Sequence, residues 1–210
     1  MDRFDRIVAL AAAVDRRQDA AIGAAAAALV AHEGPEAVRE LLRQVHLFRG
    51  FPRVVHALNV VAPLLPAADA ADAADGPDPA PEAGKACGVA GEALFRDLYG
   101  EDADKVLPHL RRLDPVFSAW VLDHAYGRVM QRQVLPLAER ERLAVLLLAA
   151  DGCWQQWRSH ARICRRLGIP TRTLAEDAGR SGWLDQEQLQ RARQGLAGLD
   201  EDPPPGDQGA

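Results

Sequence analysis

The stretch LAERERLAVLLLAADGCWQQWRSHARICRRLG, Leu137–Gly168, decides the fold. Its first part, Leu137 to Ala150, is strongly apolar behind a charged first turn and shows no alternation of period two, so it reads as a buried helix. Asp151-Gly152 breaks that helix. Cys153 to Leu167 then resumes helical spacing and stops at Gly168-Ile169-Pro170. The product is a helical hairpin with a glycine at its corner.

Upstream, Asp114-Pro115 opens a long helix through Phe117, Trp120, Val121, Ala125 and Met130, and Leu94, Leu98 and Tyr99 close a short one at Gly100. Downstream, Leu184 to Leu199 supplies a final polar helix. The N-terminal part repeats this pattern. Phe4, Ile7, Val8, Leu10 and Val14 form one stripe, and Ile22 to Val30 an alanine-rich second. After Gly34-Pro35, Val38, Leu41, Leu42, Val45 and Phe48 form a third, which Gly50-Phe51-Pro52 ends before Val54, Val55, Leu58 and Val61 begin another. The fold class is all-α.

Two segments lack any apolar period. Residues 64–86, rich in Ala, Asp and Pro, read as a flexible linker, and residues 199–210 as a disordered tail. They separate an N-terminal helical half, 1–63, from a C-terminal half, 87–198, and the two halves together form one domain. Sliding the chain by 101 residues sets Arg39-Glu40 on Arg140-Glu141, Pro52 on Cys153 and Asn59 on His160. Helix, glycine-containing break and helix coincide in both copies, which points to a duplicated helical hairpin.

Composition narrows the function classes. The 210 residues carry a net charge of −5, with 48% hydrophobic and only 5% aromatic residues, a mixture that suits closely packed helices and not a nucleic-acid footprint. No apolar run is long enough for a membrane span. Three cysteines, Cys87, Cys153 and Cys164, form no CxxC pair, so a reducing cytoplasm is the expected location. No metal site is expected, because His46 and His56 are ten apart with no third soft ligand nearby, and no cofactor is expected.

Glu141, Cys153 and His160 are the sharpest chemical constellation. Cys153 follows a break, where the unpaired N–H groups and positive dipole end of a new helix favour a thiolate. His160 lies seven residues on, nearly two turns, and Gln156 fills the step between them. An antiparallel hairpin folds Glu141 back toward His160, and a carboxylate on an imidazole near a thiol is an arrangement that activates a nucleophile. The same residues also fit a small buried thiol and an ordinary charged first turn, Glu139-Arg140-Glu141-Arg142. A second cluster, His46, Arg49, Arg53, His56 and Asn59, reads as interhelix hydrogen bonds and surface charge. A third, His124, Tyr126, Arg128 and Arg132, reads either as a carboxylate clamp or as a solvated basic face.

These residues resemble the carboxymuconolactone decarboxylase and alkylhydroperoxidase D-like family. The resemblance rests on Arg140-Glu141 through Cys153, Gln156, His160 and Gly168, on RELLRQVHLFRGFPRVVHAL from Arg39, on Tyr126-Gly127, and on Arg132. It covers most of residues 35–62 and 90–180. The peroxidase branch of that family carries a Glu, a Cys-x-x-Cys pair and a following His. Here Glu141, Cys153 and His160 match, whereas Gln156 stands at the second cysteine. The segment around Gly50-Phe51-Pro52 resembles one that closes the chain in the decarboxylases, yet here it comes first, as in a permuted or duplicated arrangement.

The resemblance implies an all-helical protomer that assembles as a trimer or hexamer and acts on a small-molecule substrate. It implies catalytic roles for Cys153, His160 and Glu141, and substrate contacts for Gln156, Arg132 and Tyr126. Three functions remain open. One is a thiol-dependent hydroperoxidase served by an external thiol reductant. The second is a decarboxylase or isomerase of a carboxylated lactone using His160, Glu141 and Arg132, and the third a non-catalytic oligomeric scaffold. No nucleic-acid or membrane partner is expected.

Overall fold

A computed structural model describes residues 1–66 and 81–201. Every regular element among these residues is a helix. The first is α1, Arg3–Arg16, whose N-terminus is closed by reciprocal hydrogen bonds between Asp2 and Asp5, so that two of the unpaired end donors find acceptors. Helix α2, Asp19–Glu33, buries Ile22, Ala26 and Leu29, spaced four and three apart on one face. Helix α3, Pro35–Val61, starts with proline where no N–H is needed. Gly50, at φ 74°, kinks α3 in a region of backbone space that glycine enters without strain.

The C-terminal elements are α4 (Pro81–Tyr99), α5 (Ala103–Leu113), α6 (Pro115–Trp120, continuing as wider turns over Val121–Met130), α7 (Leu137–Ala150), α8 (Trp154–Arg166), α9 (Thr171–Arg180) and α10 (Gln186–Glu201). A large apolar core joins α1, α2 and α3 to α7, α8, α9 and α10. A smaller core lies between α4, α5 and the wide turns of α6, with Ile163 of α8 reaching into it. Helix α8 therefore borders both cores, and His160 sits between them.

Several sequence-based boundaries change. Of the linker assigned to 64–86, residues 67–80 lie outside the described residues, but α4 is already helical from Pro81 and is longer than the short helix read before Gly100. Residues 202–210 of the assigned tail also lie outside. Residue 199, the first of that tail, is still in α10, and Leu199 is fully buried with Ala192 and Leu196 at helical spacing. Helix α5 escapes the sequence reading because Pro108 interrupts its pattern, and α9 because its buried face includes the polar Thr171 and Asp177.

The helix opened by Asp114-Pro115 also departs from a regular α-helix, widening from Val121 onward. There its backbone presses against α4. A Cβ on Gly91 would stand 1.9 Å from the Leu122 carbonyl oxygen, and one on Gly127 would stand 2.2 Å from that of Cys87. Glycine at both positions is what permits this approach.

Between α3 and α7 lies a buried polar network. Glu40 and Arg140 are both fully buried and paired at 2.5 Å, Arg132 Nε donates to the other Glu40 oxygen at 2.7 Å, and Gln44 Nε2 donates to the Arg140 carbonyl at 2.8 Å. Burial pushes the Glu40 carboxyl up, but hydrogen bonds from Arg132 and Arg140 outweigh it and hold the group below the ordinary carboxylate range.

Candidate functional site

Glu141 comes from the second turn of α7 and is completely buried. The chain then reverses through Asp151 and Gly152, the latter at φ 69°. Arg49 fixes that corner, donating to Asp151 and Asp15 at 2.6 Å each and to the Leu147 carbonyl at 3.1 Å. Cys153 occupies the position before α8 without a side-chain capping hydrogen bond, and its N–H donates to the Leu148 carbonyl at the end of α7 at 3.0 Å. From α8, His160 turns Nδ1 toward Glu141 Oε2 at 2.7 Å.

A carboxylate on Nδ1 fixes the proton there and leaves Nε2 as the nitrogen free to exchange a proton with a substrate. The imidazole is held between the Phe48 ring and the Tyr99 ring, each edge-on at 6.5 Å between centroids. Beyond Tyr99 lies Tyr126, whose hydroxyl donates to that of Tyr99 at 3.4 Å. Burial raises both phenols, Tyr99 to about 12, and the nearby Glu141 charge adds to the effect, so both stay protonated at neutral pH.

The three cysteines differ sharply. Cys153 is exposed, whereas Cys87 and Cys164 are buried. Burial, with Glu141 nearby, pushes the Cys164 thiol well up, so it stays a protonated, apolar core residue. Cys153 is thus the one accessible thiol among the described residues, at the start of a helix whose seventh residue, His160, carries the anchored imidazole. Seven residues amount to about 10.5 Å of helical rise. Helical side chains lean toward the N-terminus, so His160 reaches toward Gln156, which is exposed on the intervening turn.

The hairpin thus unites Glu141 with His160 and places Cys153 and Gln156 along the same helix. It does not bring Arg132 to them. Arg132 lies in the wall of a separate cleft of about 660 Å³ that Glu36, Arg39, Arg128 and Gln131 also line and that none of Glu141, Cys153, Gln156 or His160 does. Its Nε is committed to Glu40, and Arg128 is paired with Asp123 at 3.1 Å. Tyr126, expected at the substrate, is buried one residue behind Tyr99. Sequence reasoning had no sign of the roles of Phe48 and Tyr99, which come from helices distant in the chain. The second cluster is interhelix wiring: Arg53 binds Asp15, and His56 lies 2.7 Å from Asp19.

This arrangement of buried acid, anchored imidazole and exposed cysteine falls inside one matched segment. Residues 115–180 match the model of the carboxymuconolactone decarboxylase family. That segment holds Tyr126, Arg132, Glu141, Cys153, Gln156 and His160, in agreement with the family resemblance read from the sequence. It spans under a third of the chain, and the similar-looking stretch around Gly50-Phe51-Pro52 lies outside it. Comparison with curated proteins and with solved structures returns no match. No helix among the described residues is long and apolar enough to cross a membrane.

Proposed function

We propose that this chain, whose residues 115–180 match the carboxymuconolactone decarboxylase family, is a thiol-dependent hydroperoxidase with Cys153 as its single reactive cysteine. The observation that carries this reading is the contact of 2.7 Å between the buried Glu141 and His160, the latter on the helix that begins at the exposed thiol. The Cys153 thiolate attacks the distal oxygen of an organic hydroperoxide. The S–O bond forms as the O–O bond breaks, and the leaving alkoxide takes a proton from His160 Nε2, giving sulfenic acid and alcohol. Glu141 stabilises the imidazolium through Nδ1. Gln156, between the two groups, holds the leaving oxygen or a water within reach of Nε2.

An external thiol then attacks the sulfenic sulfur, releasing water and leaving a mixed disulfide, which a second thiol reduces. Cys164 cannot replace that thiol, because it is buried and eleven residues further along α8, about 16 Å by helical rise. A cytoplasmic pool of small thiols would meet this need. Assembly with further copies is part of the same proposal. It is supported by the exposed apolar side chains of Val116, Phe117 and Trp120 on one side of α6, which sedimentation velocity would test.

The decarboxylase reading needs a free cation beside the dyad, and Arg132 is instead engaged with Glu40 at a different cleft. The hydroperoxidase is tested by intact mass. Reduced protein is mixed with stoichiometric organic hydroperoxide and a sulfenic-acid trap. Trapping lost in Cys153→Ser, but retained in Cys164→Ser and Cys87→Ser, is the expected result. An adduct shared equally among the three cysteines would reject it.

A further inference from the structure

A second cleft, of about 520 Å³, opens between α4, α5 and α6, and it has no part in the chemistry above. Val89, Pro115, Ala119 and Leu122 give it an apolar lining, and Ser118 and Asp123 add polar groups. Ser118 is only 2% exposed and its hydroxyl has no hydrogen-bond partner. That is unusual twice over: a serine inside a helix ordinarily donates to the carbonyl four residues back, and a buried hydroxyl without a partner costs about 1–3 kcal/mol. Asp123, one turn on, accepts from Arg128 Nε at Oδ2 but leaves Oδ1 buried and unpartnered. The other charges at the cleft are already matched, since Arg111 donates to Glu92 at 2.8 Å and Arg96 donates to the same carboxylate.

The unmet demand is therefore for a hydrogen-bond donor. A carboxylate oxygen accepts only, and a serine hydroxyl both accepts and donates. The same cleft is lined by the aliphatic Val89, Ala119 and Leu122, and its volume suits a small organic molecule. We infer that this cleft binds a small amphipathic amine, with its ammonium head on Asp123 Oδ1 and Ser118 Oγ and its hydrocarbon body along Val89, Ala119 and Leu122. Pro115, Ser118, Ala119 and Leu122 lie on the side of α6 opposite Val116, Phe117 and Trp120, so assembly through the apolar face leaves the cleft open.

Calorimetric titration of the full-length protein with n-hexylammonium, n-hexanol and hexanoate tests the inference. Saturable binding of hexylammonium is expected, at least tenfold tighter than hexanol and with hexanoate weaker still. Asp123→Asn should weaken the amine by tenfold or more and leave hexanol unchanged. Ala119→Trp, which fills the mouth from an exposed position, should abolish binding of both while leaving the circular dichroism spectrum unchanged. Equal affinity for amine, alcohol and acid, or an affinity indifferent to Asp123→Asn and Ala119→Trp, would overturn it. So would the absence of any saturable heat, which would leave the orphaned atoms to water alone.

Discussion

Glu141 sets one carboxylate oxygen 2.7 Å from Nδ1 of His160 and leaves the other buried with no partner. A fully buried carboxylate with so few hydrogen bonds is costly unless its neighbour carries compensating charge. In the proposed reaction, that carboxylate is the counter-charge to the imidazolium that gives its proton to the leaving alkoxide. Glu141→Gln keeps the shape and removes that charge. Hydroperoxide consumption should fall about tenfold to a hundredfold, the range for loss of an orienting carboxylate, with little change in the far-ultraviolet spectrum.

Cysteine accessibility should divide the three thiols cleanly. In native protein, a maleimide should label Cys153 alone, and peptide mapping should find Cys87 and Cys164 labelled only after denaturation. Labelling of Cys164 at a comparable native rate would mean that α8 does not seat it in the core.

Gln156 occupies the place of the missing second cysteine, one turn from Cys153. Gln156→Cys should therefore convert the protein to a two-thiol site. After one equivalent of hydroperoxide its mass should drop by the two hydrogens of an internal disulfide, without the sulfenic adduct of the parent. Persistence of a trappable sulfenic acid in that variant would show that the start of α8 does not bring the two positions within disulfide range.

The Glu40–Arg140 pair carries a stability prediction. Removing one partner leaves the other charge buried alone, so Glu40→Ala should lower the unfolding free energy by about 3–5 kcal/mol in urea denaturation. The sign with pH follows from the direction of the shift. The folded state holds Glu40 ionised below its unfolded range, so the contribution is present above about pH 4.3 and is lost as pH falls through the folded value.

His46 gives a second pH signature, of the opposite origin. Burial lowers its affinity for a proton and the nearby His124, whose Nε2 is 2.6 Å from its own, adds to that, against the Arg43 carbonyl that raises it. The unfolded chain therefore takes up the proton first, and stability should decline as pH falls below about 6.5. Thermal melts of His46→Gln should show a flatter profile across pH 5–7 than the parent, whatever the absolute change in stability.

Much of this architecture is legible in the chain because the signals are local. The break at Asp151-Gly152, the apolar run of α7 and the Glu141/His160 spacing together define the hairpin, and the structure closes it with the two side chains in contact. The internal echo is legible too: Glu40 and Glu141, 101 residues apart, are both fully buried near the start of a helix that later breaks. Their partners are not local. Glu40 meets Arg132 and Arg140 where Glu141 meets His160, and only tertiary packing decides that. Arg132 looked free in sequence because nothing local marks its long-range acid. Likewise the wide turns of α6 depend on glycines 91 and 127 meeting carbonyls of the opposite helix, a contact without a periodic signature.

The most direct test of the central claim is the rate of Cys153 sulfenic-acid formation in His160→Ala against the parent, followed by rapid-quench trapping at pH 7 with a fixed excess of organic hydroperoxide. With His160 as the proton donor to the leaving oxygen, the rate should fall by about a hundredfold or more while the adduct stays on Cys153. An unchanged rate would contradict that role and leave the Glu141–His160 pair as a structural brace.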